Sequence, residues 1–569
     1  MKKLLKYLSN YKVESVLSPL FKMLEASFEL IVPLVISSMV DKGIGNGSYI
    51  FKCFLILLAL GFVGLVSSCT AQYFAAKAAT GFSKALRHDL FSHLMNLSFS
   101  EIDNMGISTM ITRMTADVNT VQNGVNMFLR LFLRSPFIVI GAMVMAFTID
   151  VKCALIFLAV IVVLFTVVGL ITAFNIPMLK KVQSKLDEVL GQTRENLSGA
   201  RVIRAFVKEK REYEQYEKVN EELTGLQLFA GKVSGLLNPL TYVIINLAIV
   251  LLVFIAGGRV NSGILTTGQV VALYNYMSQI LLELIKFAGL VVTINKALAC
   301  ANRISDVFEI EEGMPQLFET SGKVNLVPGM PAIEFKNVSL RYHEESDESL
   351  SNISFSIPVG KTLGIIGGTG SGKSSVVSLI PRFYDATAGE VLIGGVDVRK
   401  VDVEELRSQI GVVMQKSVLF DGTIRDNLKW GNENASDEEM MKAVETAVAL
   451  DVVNAKGGLD GKIEAQGRNL SGGQRQRLCC ARALVRKPPI LIFDDSSSAL
   501  DYVTDLRLRS NLKSLDYSPT VVIVSQRSAS VQDADAILVL EDGNMVGFGR
   551  DDELLESCEV YKEIYFSQI

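Results

Sequence analysis

Histidine is scarce in this sequence, with only three among 569 residues. The seven cysteines are scattered singly, apart from the neighbours Cys479 and Cys480, and no CxxC or Cys/His ligand spacing is present. We therefore predict reduced cysteines that serve packing, which excludes a cysteine-based metal site or a disulfide framework. A net charge of −4 also lacks the basic surplus that nucleic-acid binding requires.

Apolar residues, in contrast, are abundant and unevenly placed. They make up 49% of the sequence, the mean hydropathy is +0.34, and they concentrate between residues 13 and 300. A helix needs about 20 apolar residues to cross a bilayer. Six stretches meet that length, at 14–40, 51–76, 127–149, 152–174, 233–257 and 268–293. We predict six membrane-spanning helices, followed by a soluble domain in which apolar and charged segments alternate.

The connections between the spans alternate in length and charge. Short connections lie at 41–50, 149–152 and 258–267, and long ones, rich in lysine and arginine, lie at 77–126 and 175–232. The positive-inside rule then predicts a multi-pass protein of the cell membrane, plasma or inner, with both termini in the cytoplasm. The long connections are predicted to be cytoplasmic helical extensions. The basic start of the chain precedes no signal-peptide cleavage site and is predicted to remain attached.

Several charged residues fall inside the predicted spans, where charge is costly and usually functional. Two groups share a helical face: Lys22, Glu25 and Glu29 in the first span, and Glu283 and Lys286 in the sixth. One interpretation is a substrate cavity lined by carboxylates that favours cationic amphipathic cargo. The other is ion pairing within each helix near the membrane surface. Arg130 and Arg134 are predicted to snorkel at the inner end of the third span.

A different pattern begins after Pro331. The β-type run Leu363–Ile366 leads into a glycine-rich loop and a helical segment, the strand–loop–helix setting of a P-loop. The loop comprises Gly367, Gly368, Thr369, Gly370, Ser371, Gly372, Lys373, Ser374 and Ser375. Its glycines allow backbone N–H groups to face a phosphate. Lys373 would bring a charge to the β- and γ-phosphates, and the Ser374 hydroxyl can ligate Mg²⁺.

A second apolar run, Ile490–Asp494, ends in a carboxylate. A P-loop ATPase needs an aspartate at the end of such a strand to hold magnesium through water. The two motifs together predict ATP and Mg²⁺ as the cofactors of this domain.

Between these motifs, Leu470–Arg477 reads LSGGQRQR, and this segment resembles the signature sequence of ABC transporters. Other elements of that family occur in order: Tyr342 closing a strand for adenine stacking, Gln415 as the Q-loop glutamine that touches Mg²⁺, Ser498–Asp501 as the D-loop, and Gly199–Phe206 near the second coupling helix. The resemblance implies nucleotide contacts from Ser471, Gly472, Gly473, Gln474 and Asp501, and metal contacts from Ser374, Gln415 and Asp494. Ser471 is predicted to be a helix N-cap.

The resemblance covers essentially the whole chain and matches exporters with six spans followed by an ATPase domain. It implies an exporter-type membrane α-helical domain at 1–308, a linker at 309–331 and an α/β P-loop ABC ATPase domain at 332–569. Coupling helices are expected around 98–108 and 200–215. One P-loop and one signature make the chain a half-transporter that dimerises, so that its signature closes over a partner's nucleotide.

Two catalytic positions depart from the family pattern. Asp495 stands where most members have a glutamate that positions the attacking water, and Gln526 stands at the switch histidine. We predict a degenerate site that binds ATP but turns it over slowly, while the intact signature serves a non-identical partner subunit. The chain thus resembles the degenerate-site subunit of heterodimeric bacterial multidrug ABC exporters, with amphipathic small molecules and membrane lipids as its other partners.

Other functions remain open at this point. The two substitutions are compatible with normal hydrolysis, as in a lipid or peptide exporter that works as a homodimer. An ABC-type gated channel or channel regulator is a candidate of another class, although no regulatory insertion is present. A soluble ABC ATPase acting on nucleic acid does not fit six spans, and importers usually keep spans and ATPase on separate chains.

Overall fold

The computed structural model describes residues 2–314, 323–342 and 346–568. The chain forms two compact units. The first comprises Met1–Met95 and Ser108–Ile310, and the second comprises Asn96–Ile107 and Glu311–Ile569. Residues 96–107 therefore belong with the second unit, although they lie within the predicted membrane domain. Part of the predicted linker at 309–331, namely 315–322, lies outside the described residues.

The amino-terminal half is helical throughout. After a 3₁₀ helix at Lys2–Tyr11, the helices are α1 (Lys12–Gly43), α2 (Gly47–Asn96), α3 (Phe99–Met105), α4 (Ile107–Thr112), a π-helical turn (Arg113–Asp117), α5 (Val118–Leu131), α6 (Arg134–Ile149), α7 (Val151–Ser198), α8 (Ala200–Ala205), α9 (Glu209–Gly235), α10 (Leu237–Asn261) and α11 (Thr267–Val307).

Six continuous helical stretches in this half are long and apolar enough to cross a membrane. They are Lys6–Gly43, Gly47–Asn96, Ile107–Ile149, Val151–Ser198, Glu209–Asn261 and Thr267–Val307. The helix Val151–Ser198 has 48 residues, which at 1.5 Å per residue is about 72 Å and more than twice the hydrocarbon layer. The prediction of six spans with long helical extensions is confirmed.

Close packing between small residues holds the helices of the first unit together. A Cβ atom added to Gly124 on α5 would lie 2.2 Å from the Cβ of Ala297 on α11. Tyr276 on α11 is fully buried and donates a hydrogen bond from its hydroxyl to the carbonyl of Leu30 on α1, at 2.7 Å. Asp41, near the end of α1, accepts a hydrogen bond from the Gly268 amide at 2.7 Å. These contacts attach α11 to its neighbours.

The charged residues of the spans form ion pairs both within and between helices. Lys22 pairs with Glu25, and Lys286 with Glu283, as the second interpretation of their spacing predicted. Arg134 is buried and does not snorkel, so that prediction is wrong. Its guanidinium donates to Glu29 on α1 and to Glu283 on α11, both at 2.7 Å. A buried arginine is retained here because two carboxylates compensate for its lost hydration.

The carboxyl-terminal half combines strands with helices. The strands are β1 (Pro331–Leu340), β2 (Leu350–Pro358), β3 (Thr362–Gly367), β4 (Ala388–Ile393), β5 (Val396–Asp397), β6 (Ile410–Val413), β7 (Gly422–Thr423), β8 (Lys462–Ile463), β9 (Ile490–Asp494), β10 (Thr520–Val524), β11 (Ala536–Glu541) and β12 (Asn544–Gly549). The helices are α12 (Lys373–Leu379), α13 (Val403–Ser408), α14 (Ile424–Lys429), α15 (Asp437–Thr446), α16 (Leu450–Ala455), α17 (Gly472–Val485), α18 (Tyr502–Lys513), α19 (Ser528–Val531), α20 (Asp551–Ser557) and α21 (Glu559–Phe566), with 3₁₀ turns at Val398–Lys400 and Ala465–Gly467.

A six-stranded sheet forms the centre of the second unit, in the order β12-β11-β3-β10-β9-β6. The strands from β11 to β6 are parallel, and β12 is an antiparallel edge. A four-stranded antiparallel sheet, β2-β1-β4-β5, is separate from it. The buried apolar strands Leu363–Ile366 and Ile490–Phe493 explain why the sequence reads as nearly continuous hydrophobic runs there. The predicted α/β class of this domain is confirmed.

We expect Gly124→Leu to destabilise the first unit by about 1–3 kcal/mol, because the added side chain overpacks the contact between α5 and α11. Thermal melting of the detergent-solubilised protein, followed by loss of the monodisperse peak, would measure the change. Gly225→Leu on α9 is the matched control, because a Cβ added there meets nothing within 4 Å. An unchanged melting temperature for Gly124→Leu would contradict this packing.

Candidate nucleotide site

The predicted phosphate and metal residues lie at one edge of the parallel sheet. The P-loop follows β3, Asp494 ends β9, Gln526 follows β10 and Gln415 follows β6. Because the carboxyl ends of parallel strands meet at the same edge, residues far apart in sequence converge there. Most of them line a cavity of about 550 Å³, whereas Gly367 and Gly368 are not among its lining residues. Its lining includes Thr369, Gly370, Ser371, Gly372, Lys373, Ser374, Ser375, Gln415, Asp494, Asp495 and Gln526.

The P-loop takes a conformation that only glycine adopts easily. Gly372 has φ +94°, and a Cβ atom there would lie 2.9 Å from the carbonyl oxygen of Ser349. Lys373 begins α12 and is buried, with its Nζ donating to the carbonyls of Gly367 at 2.9 Å and Gly368 at 2.5 Å. The loop thereby holds the ammonium group through its own carbonyl oxygens. Phosphate oxygens are stronger acceptors for this group than neutral carbonyls are.

Ser374 and Asp494 form the predicted metal corner. The Ser374 hydroxyl donates to Oδ1 of Asp494 at 3.1 Å. Hydroxyl, carboxylate and amide oxygens from Ser374, Asp494 and Gln415 suit Mg²⁺, which prefers hard oxygen ligands and usually keeps several waters and nucleotide phosphates. Within the described residues, no group of three or more His, Cys, Asp or Glu could hold a metal ion. The donor set therefore fits a magnesium ion brought with a nucleotide better than a resident metal.

Burial shifts the pKa values of the charged side chains at this edge of the sheet. It raises the pKa of Asp494, and the neighbouring Asp495 carboxylate raises it further. Burial also raises the pKa of Asp495 and lowers the pKa of Lys373, whereas the two carboxylates act on the lysine in the opposite direction. As pH falls, both aspartates thus lose charge earlier than exposed aspartates do. A bound metal ion would offset the negative charge of the two aspartates, and bound phosphates would offset the positive charge of Lys373.

The two positions that depart from the family pattern both lie in this cavity. Asp495 has φ +46°, a left-handed conformation that aspartate tolerates better than most residues, and its Oδ2 accepts a long hydrogen bond from Gln415 Nε2 at 3.4 Å. Gln526 has an exposed side chain, and its backbone carbonyl accepts a hydrogen bond from Gln568 at 2.7 Å. The carboxylate and the amide therefore both lie in the cavity beside the P-loop.

Tyr342 does not close a strand as predicted, because β1 ends two residues earlier at Leu340. Its hydroxyl donates to the Ser375 hydroxyl in the P-loop helix at 3.0 Å. Its ring meets Tyr384 edge-on, with centroids 4.9 Å apart. Tyr342 is thus held beside the P-loop, although it is not among the residues that line the cavity.

The signature segment is placed elsewhere on the second unit. Ser471 is the N-cap of α17, as predicted, and forms a capping box with Gln474: its hydroxyl accepts from the Gln474 amide, and its own amide donates to the Gln474 side chain at 2.9 Å. A Cβ added to Gly473 would lie 2.9 Å from the carbonyl oxygen of Ala499, so Gly473 packs on the D-loop, whereas one added to Gly472 meets nothing within 4 Å.

Asp501, at the end of the D-loop, is the N-cap of α18 and accepts a hydrogen bond from the Thr504 amide at 3.1 Å. Neither it nor the signature residues 471–474 line the P-loop cavity. The helix end is exposed at Gly472, and a helix N-terminus of this kind suits an anion.

The short helix α3 docks on the second unit through aromatic contacts that the sequence did not reveal. The rings of Phe99 and Phe383 contact each other at a tilt of 34°, with centroids 4.5 Å apart, and the Arg407 guanidinium lies over both rings. The Tyr384 hydroxyl donates to the Asp103 carboxylate. Since Tyr384 also contacts Tyr342, side-chain contacts lead from the P-loop helix to α3.

The other predicted coupling segment, 200–215, is not one helix. α8 ends at Ala205 and α9 begins at Glu209, and Val207 between them has φ +53°. The predicted segment thus contains a turn and the start of a long helix.

Comparison with known proteins shows relatives over the full chain. The family profile described as ABC transporter transmembrane region matches residues 15–284, and the profile described as ABC transporter matches residues 350–498. An uncharacterised ABC transporter ATP-binding protein of Bacillus subtilis is 34% identical over 571 residues, covering 100% of this chain and 98% of its own. An ATP-dependent lipid A-core flippase of Photorhabdus laumondii is 28% identical, over 98% of this chain and 96% of its own.

Among solved structures, a bacterial Atm1-family ABC exporter with ATP bound superimposes with a TM-score of 0.78. The match covers 99% of this chain and 98% of that one, at 24% sequence identity. The likeness establishes the fold.

The contact between Tyr384 and Asp103 can be tested without reference to transport. We expect Tyr384→Phe to increase hydrogen exchange of the α3 amides by about tenfold or more, because a hydrogen bond to a charged group contributes about 1.5–3 kcal/mol. Mass spectrometry of peptides covering 96–107 would measure it. Tyr517→Phe is the control, since the Tyr517 hydroxyl is buried without a hydrogen-bond partner among the described residues. Equal exchange in both variants would refute a role for the Tyr384 hydroxyl in docking α3.

Proposed function

The chain belongs to the ABC transporter family, and we propose that it is one half of a heterodimeric exporter whose own ATP site is degenerate. The observation that carries this proposal is the pairing of Asp495 and Gln526 in the cavity beside the P-loop. Binding groups for ATP and Mg²⁺ are complete there, whereas both groups that would position and activate water are altered.

The shortened carboxylate affects the geometry of water attack. Aspartate reaches about 1.5 Å less than glutamate, one carbon–carbon bond. Misplacement of a catalytic group by about 1 Å can lower a rate by about a hundredfold. The Asp495 carboxylate accepts only a long hydrogen bond from Gln415, at 3.4 Å.

The second alteration removes a charge. Glutamine can donate a hydrogen bond to a γ-phosphate oxygen but cannot carry the positive charge of an imidazolium. Arg527 follows Gln526, but its guanidinium donates at 3.4 Å to the Leu500 carbonyl, in the D-loop region. Because electrostatic stabilisation supplies most of the catalysis in phosphoryl transfer, the two changes together favour slow turnover.

The signature supports the role of a partner. Its helix end is exposed at Gly472 and lies away from the chain's own P-loop cavity. A second half-transporter would place its P-loop against this end, and its own signature would close over the nucleotide at Lys373. A partner with the usual glutamate and histidine would then hydrolyse ATP rapidly with the help of Ser471–Gln474.

In the proposed cycle, this chain's residues bind and orient. Lys373 and the loop amides hold the phosphates, while Ser374, Asp494 and Gln415 hold Mg²⁺, which neutralises phosphate charge when bound. Closure of the two ATPase domains would pass to the spans through α3, since Tyr384 contacts both Asp103 of α3 and Tyr342 beside the P-loop helix, and α3 follows α2 closely in the chain. Amphipathic compounds would move outward across the cell membrane, with both chain termini in the cytoplasm.

A lipid exporter that works as a homodimer is the second candidate. It is favoured by the full-length relative named as an ATP-dependent lipid A-core flippase. The two candidates differ in what the purified chain does alone. The degenerate-site proposal predicts slow ATP hydrolysis by the isolated chain and rapid hydrolysis once a half-transporter with an intact glutamate and histidine is added. Brisk hydrolysis by the isolated chain would support the homodimer.

Restoring both groups should restore activity. We expect the double substitution Asp495→Glu with Gln526→His to raise ATP hydrolysis by the purified chain by about tenfold to a hundredfold, because it lengthens the carboxylate and returns an imidazole. Phosphate release in lipid nanodiscs would measure the rate.

The matched control for this experiment is Asp516→Glu with Gln532→His, which makes the same chemical changes at exposed positions outside the cavity. A rate that stays at the wild-type level after the double substitution, with ATP binding intact, would contradict the assignment of Asp495 and Gln526.

A further inference from the structure

The first unit contains a cavity of about 730 Å³ whose lining is strongly basic. Four of its lining residues are Lys22 on α1, Arg130 on α5, Arg134 on α6 and Lys286 on α11. Gln72 and Tyr73 on α2 add polar groups. Of the described residues that line the cavity, none is acidic. The volume lies in the range of ligand pockets, about 300–1,000 Å³.

The nearby carboxylates contact the cations but do not line the cavity. Glu25 pairs with Lys22 at 2.5 Å, and Glu283, which is 97% buried, pairs with both Arg134 and Lys286. The interpretation of a cavity lined by carboxylates is therefore wrong, and the described lining is basic instead. The carboxylates form ion pairs with Lys22, Arg134 and Lys286 but do not line the cavity, whereas these three bases do.

The cluster keeps positive charge beyond what these acids neutralise. Four cations face three carboxylates, since Glu29 is the third acid in the network. Arg130 donates its hydrogen bond to the neutral amide of Gln72. Arg134 keeps its buried Nε–H without a hydrogen-bond partner among the described residues. A buried unpaired donor in a net-positive site has a strong requirement for an acceptor.

The cavity residues also lie in one zone along their helices, between about 22 and 38 Å from the short connections. Measured from the helix ends at the short connections, Lys22, Gln72, Arg134 and Lys286 lie about 32, 38, 22 and 29 Å along the helix axis, at 1.5 Å per residue. A hydrocarbon layer is about 30 Å thick, so these groups lie near its opposite boundary, where lipid headgroups begin. With the proposed topology, that boundary belongs to the cytoplasmic leaflet.

From the lining, the charge and the depth, we infer that this cavity binds the anionic headgroup of an amphiphile in the cytoplasmic leaflet, a phosphate or carboxylate with an apolar tail. The four bases supply the charge, and the apolar, outward-facing parts of α1 and α2 run from this level toward the short connections, where a tail would lie. This inference rests on the proposed export function and names the class of its cargo as anionic.

Binding of three probes to the full chain would test the site. The protein would be placed in nanodiscs of zwitterionic lipid, with a non-hydrolysable ATP analogue bound so that the P-loop is filled. The probes are dodecyl phosphate, dodecyltrimethylammonium and inorganic phosphate, each titrated by calorimetry. We expect dodecyl phosphate to bind at least tenfold more tightly than either of the others, because the site requires both the anion and the tail.

Substitutions then locate the binding. Arg130→Gln with Lys286→Gln should weaken dodecyl phosphate binding by about tenfold or more, and Arg130→Lys with Lys286→Arg should retain it. Lys52→Gln with Lys152→Gln is the control, since these exposed lysines lie near the short connections. Preference for dodecyltrimethylammonium, or dodecyl phosphate binding that the first pair leaves unchanged, would overturn the inference, and tight binding of inorganic phosphate alone would show a free-anion site instead.

The test separates this inference from the proposed function. Binding is measured at equilibrium and does not depend on hydrolysis, on a partner or on transport. A chain that binds dodecyl phosphate through Arg130 and Lys286 but shows no ATP-driven export would refute the exporter proposal and leave the site standing. Export of amphiphiles by a chain that does not prefer dodecyl phosphate would refute this inference and leave the exporter proposal standing.

Discussion

The nucleotide site depends on one constraint, the parallel alignment of β3, β10, β9 and β6. Each strand ends at the same edge of the sheet, and each contributes a group there. The ammonium of Lys373, the carboxylates of Asp494 and Asp495 and the amide of Gln415 are thus brought together from separate parts of the chain. Burial makes this collection of charges costly, since it raises the pKa of both aspartates and lowers the pKa of the lysine. Bound phosphates and magnesium would balance these charges. The site can therefore bind ATP even if it hydrolyses ATP slowly.

The same edge is in contact with α3, which belongs to the second unit. The Tyr342 hydroxyl donates a hydrogen bond to Ser375 in the P-loop helix. The Tyr384 ring contacts the Tyr342 ring edge-on, and its hydroxyl donates to Asp103. The Phe99 ring contacts Phe383, the neighbour of Tyr384. Nucleotide binding and the position of α3 are therefore parts of one packed cluster. Such a cluster can couple two equilibria without hydrolysis at this site, because binding energy alone shifts a conformational equilibrium. A site with slow turnover would keep this cluster in its bound arrangement for longer.

The sequence predicted the features that local patterns determine. Glycine spacing identified the P-loop, an apolar run ending in an acid identified β9, and the serine of the signature segment identified the N-cap of α17. It missed features that depend on distant pairs. Arg134 and Glu283 are 149 residues apart, and Tyr384 and Asp103 are 281 residues apart. No local period connects such residues, so the sequence predicts a snorkelling Arg134 and leaves a cavity lined by carboxylates as one of two interpretations. The short sequence separations within α1 and within α11 correctly predicted an ion pair inside each helix. They did not indicate that Arg134 bonds to a carboxylate of each helix.

The central claim is that this chain holds ATP intact at Lys373 and Asp494. The most direct measurement is the identity of the nucleotide photo-crosslinked to the purified chain after prolonged incubation with Mg²⁺ and labelled azido-ATP. The account predicts that the label recovered from the P-loop peptide is still the triphosphate. Recovery of the diphosphate within the first minutes would contradict it.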